Sequence, residues 1–253
     1  MRNLERPRVG RLAVSLVVAH LTLLSTSWAA NTAVVPVPKL ENDCYDWHAR
    51  HEAVLKIKDQ VNPEIVLIGD SITHFWSGPP EGVPPRGPKA WKELFGERRV
   101  LNLGFGWDRT QNVLWRLDHG ELDGLRPRYV VVNIGTNNFS GTANARENTP
   151  AEVAEGVRAI LARVRDKSPQ SRIVLMGVFP RGQKSTEPYR AKIAELNRLL
   201  PEVAKQCDAT FVDLGPKFLL PSGALPRSLM SDFCHPTEDG YALWAEALKP
   251  LIP

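Results

Sequence analysis

A three-layer α/β fold, with one parallel sheet of five strands between helical layers, is predicted by three observations. Five short apolar runs recur along the chain: Ile65–Ile68, Val100–Leu103, Tyr129–Ile134, Ile173–Val178 and Thr210–Leu214. They are four to six residues long, rich in β-branched side chains and mostly apolar at every position, which suits strands buried on both faces. Helix-like stretches separate them, and strand–helix alternation implies right-handed crossovers and a parallel sheet covered on both sides.

The first 29 residues read as a secretory signal and not as part of that fold. Arg2, Arg6, Arg8 and Arg11 precede a 13-residue apolar run from Leu12 to Leu24, and small residues lead to a cleavage point after Ala29. A spanning helix needs about 20 apolar residues, so an uncleaved membrane anchor is the lesser reading. The expected location is periplasmic or extracellular, with no stable membrane insertion after cleavage. Without this segment 28 basic and 27 acidic residues remain, a net charge of +1, which makes no electrostatic case for a nucleic-acid partner. Residues 30–42, with Pro36 and Pro38, read as a flexible lead, and residues 43–253 as one domain.

Within that domain the first helix is expected in "CYDWHARHEAVLKIKDQV", where Trp47, Val54, Leu55, Ile57 and Val61 fall near helical spacing. Ser77–Gly87, rich in Pro and Gly, reads as a surface loop beside the first strand's carboxyl end. "DRTQNVLWRLDHG" is helical, with Gly120 as a C-terminal stop. "TPAEVAEGVRAILARVRDK" opens with Thr149 as N-cap and Pro150 at the first helical position. "TEPYRAKIAELNRLLPEVAKQC" and "TEDGYALWAEALKPLI" supply the last two helices.

Ligands of open parallel sheets lie beyond the strands' carboxyl ends. The first strand ends in Gly69-Asp70-Ser71, the second in "NLGFGWD", the third in "GTNN" and the fourth in "FPRG" with Arg181; "SDFCHPTEDGY" precedes the last helix. A serine hydroxyl needs a base to become a nucleophile, and His235 titrates in the right range. Asp232, three residues earlier, can fix the imidazole tautomer. The N–H groups of Ser71 and Gly104 and the side-chain amide of Asn137 can receive an oxyanion. Taken singly, each feature has a plainer reading: Asp70 and Ser71 as a helix cap, the glycines and asparagines as turns, Asp232 and His235 as a structural hydrogen bond. Their joint order at successive strand ends favours catalysis. His74, Trp76, Phe105, Trp107 and Arg181 are candidate pocket residues, and His74 is the weaker candidate base because no carboxylate sits beside it.

The blocks "IGDSITHFW", "LNLGFGWDRTQNVLWRL", "VNIGTNN" and "DFCHPTEDGY" resemble the SGNH (GDSL-type) hydrolase family, over about residues 43 to 250. The second and third are similar to the platelet-activating-factor acetylhydrolase catalytic-subunit branch. The resemblance implies a flavodoxin-like sheet of order 2-1-3-4-5 and no cofactor or metal. It also implies Ser71 as nucleophile, Asp232 and His235 completing a triad, and Gly104 and Asn137 as oxyanion donors. Phe105-Gly106-Trp107 departs from the family pattern in bulk, so acyl preference does not carry over.

Other signals are weaker. "GVFPRGQKS" fails as a phosphate loop because Gln183 separates Gly182 from Lys184. His48-Ala-Arg-His51-Glu52 is not a zinc-protease pattern. Of Cys44, Cys207 and Cys234, a Cys44–Cys207 disulfide is conceivable after export. The expected activity is a secreted serine esterase acting on a small acyl ester, foremost an O-acetyl group of a carbohydrate. The alternatives are a lysophospholipase or thioesterase for longer acyl chains, and a non-catalytic binding module on the same fold.

Overall fold

The structure is a computed structural model that describes residues 30–253, of which Asn31–Pro253 form one compact unit. The expected signal segment lies outside the described residues. Chain order is α1 Trp47–Val61, β1 Ile65–Gly69, α2 Ser71–His74, α3 Pro88–Phe95, β2 Val100–Gly104, α4 Thr110–Asp118, β3 Tyr129–Asn133, α5 Pro150–Lys167, β4 Arg172–Met176, α6 Pro188–Gln206, β5 Ala209–Val212 and α7 Glu238–Leu248. All five strands run parallel in the order β2-β1-β3-β4-β5. No helix among the described residues is long and apolar enough to cross a membrane.

Strand periodicity explains the layers. Val66, Ile68, Leu101, Leu103, Val130 and Val132 point into a core closed by α1, α4, α5 and α6. Their neighbours Ile65, Leu67, Val100, Val131, Val174 and Met176 point the other way, into a core closed by α3 and α7. Both sets are fully or almost fully buried, which is why the runs read as continuously apolar. The exception is β5, at the sheet edge, whose residues are only half-buried or exposed.

Helix ends follow the local chemistry. Thr149 Oγ1 accepts from the Glu152 N–H at 3.2 Å while Glu152 Oε2 accepts from the Thr149 N–H at 2.9 Å, with Pro150 at the first helical position. Two short helices, α2 and α3, were not expected; both are shorter than the window over which helical periodicity can be recognised. The segment expected to be a flexible lead is seated on the fold. A 3₁₀ turn at Thr32–Val34 buries Ala33, and Asn112 Nδ2 donates to Pro38 O at 2.7 Å. Its prolines fix an extended path and leave carbonyls for α4 to bond. Cys44, Cys207 and Cys234 are all free thiols, so the conceivable Cys44–Cys207 link is not made.

Strand register positions the site. Gly69 lies opposite Gly104 on one side and Asn133 on the other. The three central strands therefore end at one level, and Ser71, the Phe105–Asp108 turn and the 3₁₀ helix Thr136–Phe139 emerge together.

Candidate active site

Ser71 begins α2, directly after Asp70. Asp70 is the helix cap: its Oδ1 accepts from the Ile72 N–H at 2.9 Å. The capping and nucleophile readings of Gly-Asp-Ser are thus compatible, because the cap fixes the turn that presents Ser71. Burial pushes the Asp70 carboxyl up to about 7, with the Ile72 N–H pulling against it.

The loop before α7 brings two partners to this turn. His235 Nε2 lies 2.9 Å from Ser71 Oγ, and His235 Nδ1 lies 2.8 Å from Asp232 Oδ2. A carboxylate can only accept, so Nδ1 carries the proton and Nε2 is left to accept from the Ser71 hydroxyl. Asp232 Oδ1 also accepts the backbone N–H groups of Cys234 at 3.1 Å and His235 at 2.8 Å, which locks the carboxylate to the loop. Partial burial works to raise the Asp232 carboxyl. Bonds from His235 and from Arg86 Nη1, 3.2 Å away, outweigh it and hold the group well below the usual carboxylate range. Burial lowers the His235 pKa, as do the charges of Arg86 and Arg181, against the opposing pull of Asp232. The imidazole is therefore neutral and able to take a proton at neutral pH. The adjoining Cys234 thiol is pushed up to about 11 by burial and stays protonated.

Two of the three expected oxyanion donors hold their places. The Ser71 N–H has no partner among the described residues. Asn137 Nδ2 donates one hydrogen to Asp108 O at 3.1 Å and keeps the second free. Gly104 is a correction. Its N–H already donates to Asn102 Oδ1 at 2.8 Å. What Gly104 provides is room: a Cβ there would lie 2.2 Å from the His74 backbone nitrogen, so glycine lets α2 seat against the end of β2. The free amide in this turn belongs to Trp107, which sits at φ +63° and whose N–H has no partner among the described residues. A tryptophan in the left-handed region is strained by about 1 kcal/mol or more, and such strain concentrates at functional sites. Sequence patterns point to glycine for such positions, so nothing in the sequence marks Trp107 for this backbone.

Three of the five candidate pocket residues belong to the interior. His74 is buried, and its Nδ1 accepts from the Gly106 N–H at 3.3 Å. Burial, with the charges of Arg50 and Arg116, pushes its pKa down to about 2, so it is a neutral prop for the turn and not a second base. Trp76 stacks between Tyr241 at 5.3 Å and Trp244 at 4.5 Å in the α3/α7 core. Phe105 is fully buried, with the Arg116 guanidinium 3.9 Å from its ring centre. Each is apolar surface better removed from water than offered to a ligand. Trp107 and Arg181 stay partly exposed; Arg181 Nη1 donates to Ser140 Oγ at 3.0 Å and its guanidinium lies 4.2 Å over the Tyr189 ring. A cavity of about 550 Å³ between α6 and the loop after β5, bordered by Val178, Asn197, Asp213 and Leu219, is lined by none of the three triad residues.

Beneath the turn lies a buried charge cluster that sequence reasoning missed. Asp108 accepts from Trp47 Nε1 at 2.7 Å and Arg116 Nε at 2.8 Å; Arg116 also pairs with Glu121, and His51 Nδ1 lies 2.9 Å from Glu121. Burial pushes the Asp108 carboxyl up to about 6, against Arg116 and the Trp47 N–H. Arg116 Nη2 donates to Leu103 O at 3.2 Å, and Arg50 donates to Gly104 O at 2.9 Å and Asn102 O at 3.0 Å. These bonds fix the carbonyls at the end of β2, and hence the peptide planes that aim the following amides.

A hydroxyl, a neutral imidazole and an ionised carboxylate in sequence, with unpaired amide hydrogens beside the hydroxyl, define a serine ester hydrolase. The comparisons agree. The chain matches the GDSL-like Lipase/Acylhydrolase family over residues 67–243, and it belongs to that family. It is 36% identical over 208 residues to platelet-activating factor acetylhydrolase IB subunit alpha2 of Homo sapiens, covering 81% of this chain and 83% of that one. Against subunit alpha1 of the same organism it is 36% identical over 218 residues, covering 86% and 87%. Among solved structures, an acetylxylan esterase from Geobacillus stearothermophilus shares the fold, with TM-score 0.60 and 21% identity over 74% of this chain and 93% of that one. So does a putative acylhydrolase from Bacteroides fragilis, with TM-score 0.65 and 20% identity over 82% and 97%.

Proposed function

We propose that the chain is an exported serine esterase that removes short acyl groups, acetyl foremost, from carbohydrate esters. The observation that carries the chemistry is the 2.9 Å approach of His235 Nε2 to Ser71 Oγ, with Asp232 on the far ring nitrogen. In this reading Ser71 Oγ attacks the ester carbonyl as its proton passes to Nε2, and Asp232 steadies the imidazolium. The developing oxyanion receives the N–H groups of Ser71 and Trp107 and the free hydrogen of Asn137 Nδ2. Collapse returns the proton to the departing alcohol and leaves acyl-Ser71. Water, deprotonated by His235, then releases the acid and restores the hydroxyl.

The 36%-identical relatives are named acetylhydrolases, which supports acetyl as the acyl group. The acetylxylan esterase neighbour and the partly exposed Trp107 indole support a sugar alcohol. Export is supported by the basic and apolar make-up of residues 2–24. A second reading, an acetylated lipid, is favoured by the platelet-activating factor in the relatives' names.

Purified residues 30–253 are assayed on p-nitrophenyl acetate, butyrate and octanoate, on acetylated xylan and on platelet-activating factor. Acetyl is expected to turn over fastest and acetate to leave the xylan; octanoyl preference overturns the short-acyl reading, and release from the lipid alone overturns the carbohydrate. A fluorophosphonate is expected to add once, on Ser71, by mass spectrometry, and Ser71→Ala to lose about 10⁴-fold or more in kcat. An intact protein without that adduct would be a binding module.

A further inference from the structure

The chain ahead of α1 runs along the oxyanion side of the site. Asn31 Nδ2 donates to Glu155 Oε2 at 2.7 Å, Ala33 O accepts from Thr110 Oγ1 at 2.8 Å, and the Val37 N–H donates to Gln111 O at 3.2 Å. Glu41 then reaches the rim. Its Oε1 accepts from Thr142 Oγ1 at 2.6 Å and Arg109 Nη2 at 3.2 Å, and its Oε2 from Asn144 Nδ2 at 3.0 Å. Farther on, Tyr45 donates its hydroxyl to Gly106 O at 3.1 Å.

Arg109 is the link to the chemistry. Its side chain is fully buried, with Nε donating to Asn137 O at 3.1 Å and Nη2 to Ser140 O at 2.9 Å. Nη1 is buried without a partner, so the guanidinium is anchored through Nε and Nη2 alone. Glu41 is the one carboxylate that pairs with it among the described residues. Asn137 is thereby held from two sides, its side-chain amide by Asp108 O and its carbonyl by Arg109.

We propose that residues 31–45 form a strap belonging to the catalytic apparatus, with Glu41 as a positioning residue that acts through Arg109 on Asn137. The inference rests on the esterase reading, in which the free Asn137 Nδ2 hydrogen meets the oxyanion. The physical reason is that a buried guanidinium surrounded by carbonyls alone is poorly neutralised. Without the Glu41 charge it moves toward water and slackens the Asn137 carbonyl, and the amide on the same residue loses its aim. Small misplacements of this kind cost rate out of proportion to their size. The strap begins two residues past the expected cleavage point, so the processed chain retains all of it.

The test compares Glu41→Gln and Glu41→Asp with the unaltered protein on p-nitrophenyl acetate, alongside the rate of Ser71 phosphonylation and the melting temperature. Glu41→Gln is expected to lower kcat about tenfold with KM within about twofold, and phosphonylation is expected to slow in parallel, since the phosphonyl oxygen uses the same donors. Glu41→Asp keeps the charge one methylene further back and is expected to recover part of the loss; it also serves should the Gln variant not fold. A kcat within about twofold of the unaltered protein in a folded variant, whatever its melting temperature, overturns the proposal. An unaltered protein with no Ser71 adduct would instead refute the esterase reading and the strap's role with it.

Discussion

The loop carrying Asp232 and His235 and the cluster under the oxyanion turn are both built from paired charges, yet their surroundings differ sharply. At the rim, the Asp232 and Arg86 side chains are 44% and 38% exposed; in the cluster, Arg116 and Glu121 are 0% and Asp108 2% exposed. The rim pair serves a group that must gain and lose a proton each turnover, and nearby water keeps both states of His235 accessible. The cluster holds backbone carbonyls still, so its charges stay fixed and are satisfied by one another and by main chain. The difference teaches that exposure of an ion pair tells which pairs change protonation and which hold geometry.

Asp232→Asn attacks the rim and should have the largest effect. It leaves His235 Nδ1 without an anionic acceptor, and kcat on p-nitrophenyl acetate should fall roughly 10³- to 10⁴-fold. The thermal unfolding midpoint should move little, because an exposed pair contributes little to stability. Arg116→Met reverses the pattern: Asp108 and Glu121 become buried carboxylates without a cation, and urea unfolding should show a loss of about 3–5 kcal/mol. If Arg116→Met were as stable as the unaltered protein, the cluster would not be holding geometry at all.

A subtler probe is the pH profile of kcat/KM. Free His235 must be neutral to accept the Ser71 proton, and its pKa lies below the ordinary 6.5. The acid limb should therefore fall below pH 6.5, with activity rising as pH increases through it. Arg86→Gln removes a cation that lowers that pKa, so the limb should move up and relative activity at pH 5 should drop; an unmoved limb would mean that Arg86 does not act on His235. The smallest effect is expected at Trp107→Gly. It keeps the amide and relieves the left-handed backbone, so kcat should stay within about twofold of the unaltered enzyme. A hundredfold loss there would mean that the indole, and not the amide, is what the site uses.

Much of this was legible beforehand for physical reasons that can be named. Strands β1 to β4 announced themselves because both faces are buried, whereas the half-exposed edge strand β5 was marked more weakly. Ser71, Asn137, Asp232 and His235 were recognisable because each terminates an element at the crevice, where backbone needs and catalytic needs select the same residue types. Trp76 and Phe105 misled because an aromatic near a nucleophile looks the same in sequence whether it lines a pocket or fills the core beneath it. Gly104 misled because a glycine that admits a packed helix looks like one that exposes an amide. Pro36 and Pro38 suggested a loose lead, since a sequence does not show which carbonyls a distant Asn112 will bond.

The sequence by itself determined the alternation of strand and helix, the sheet's buried character and the catalytic residue types, because burial periodicity and chemical identity are properties of the chain alone. Only the tertiary structure decided which amide faces the reacting carbonyl, which arginines are anchors, and that the segment before the first helix belongs to the site. Those depend on contacts between residues 30 to 120 positions apart, whose distances no local pattern encodes.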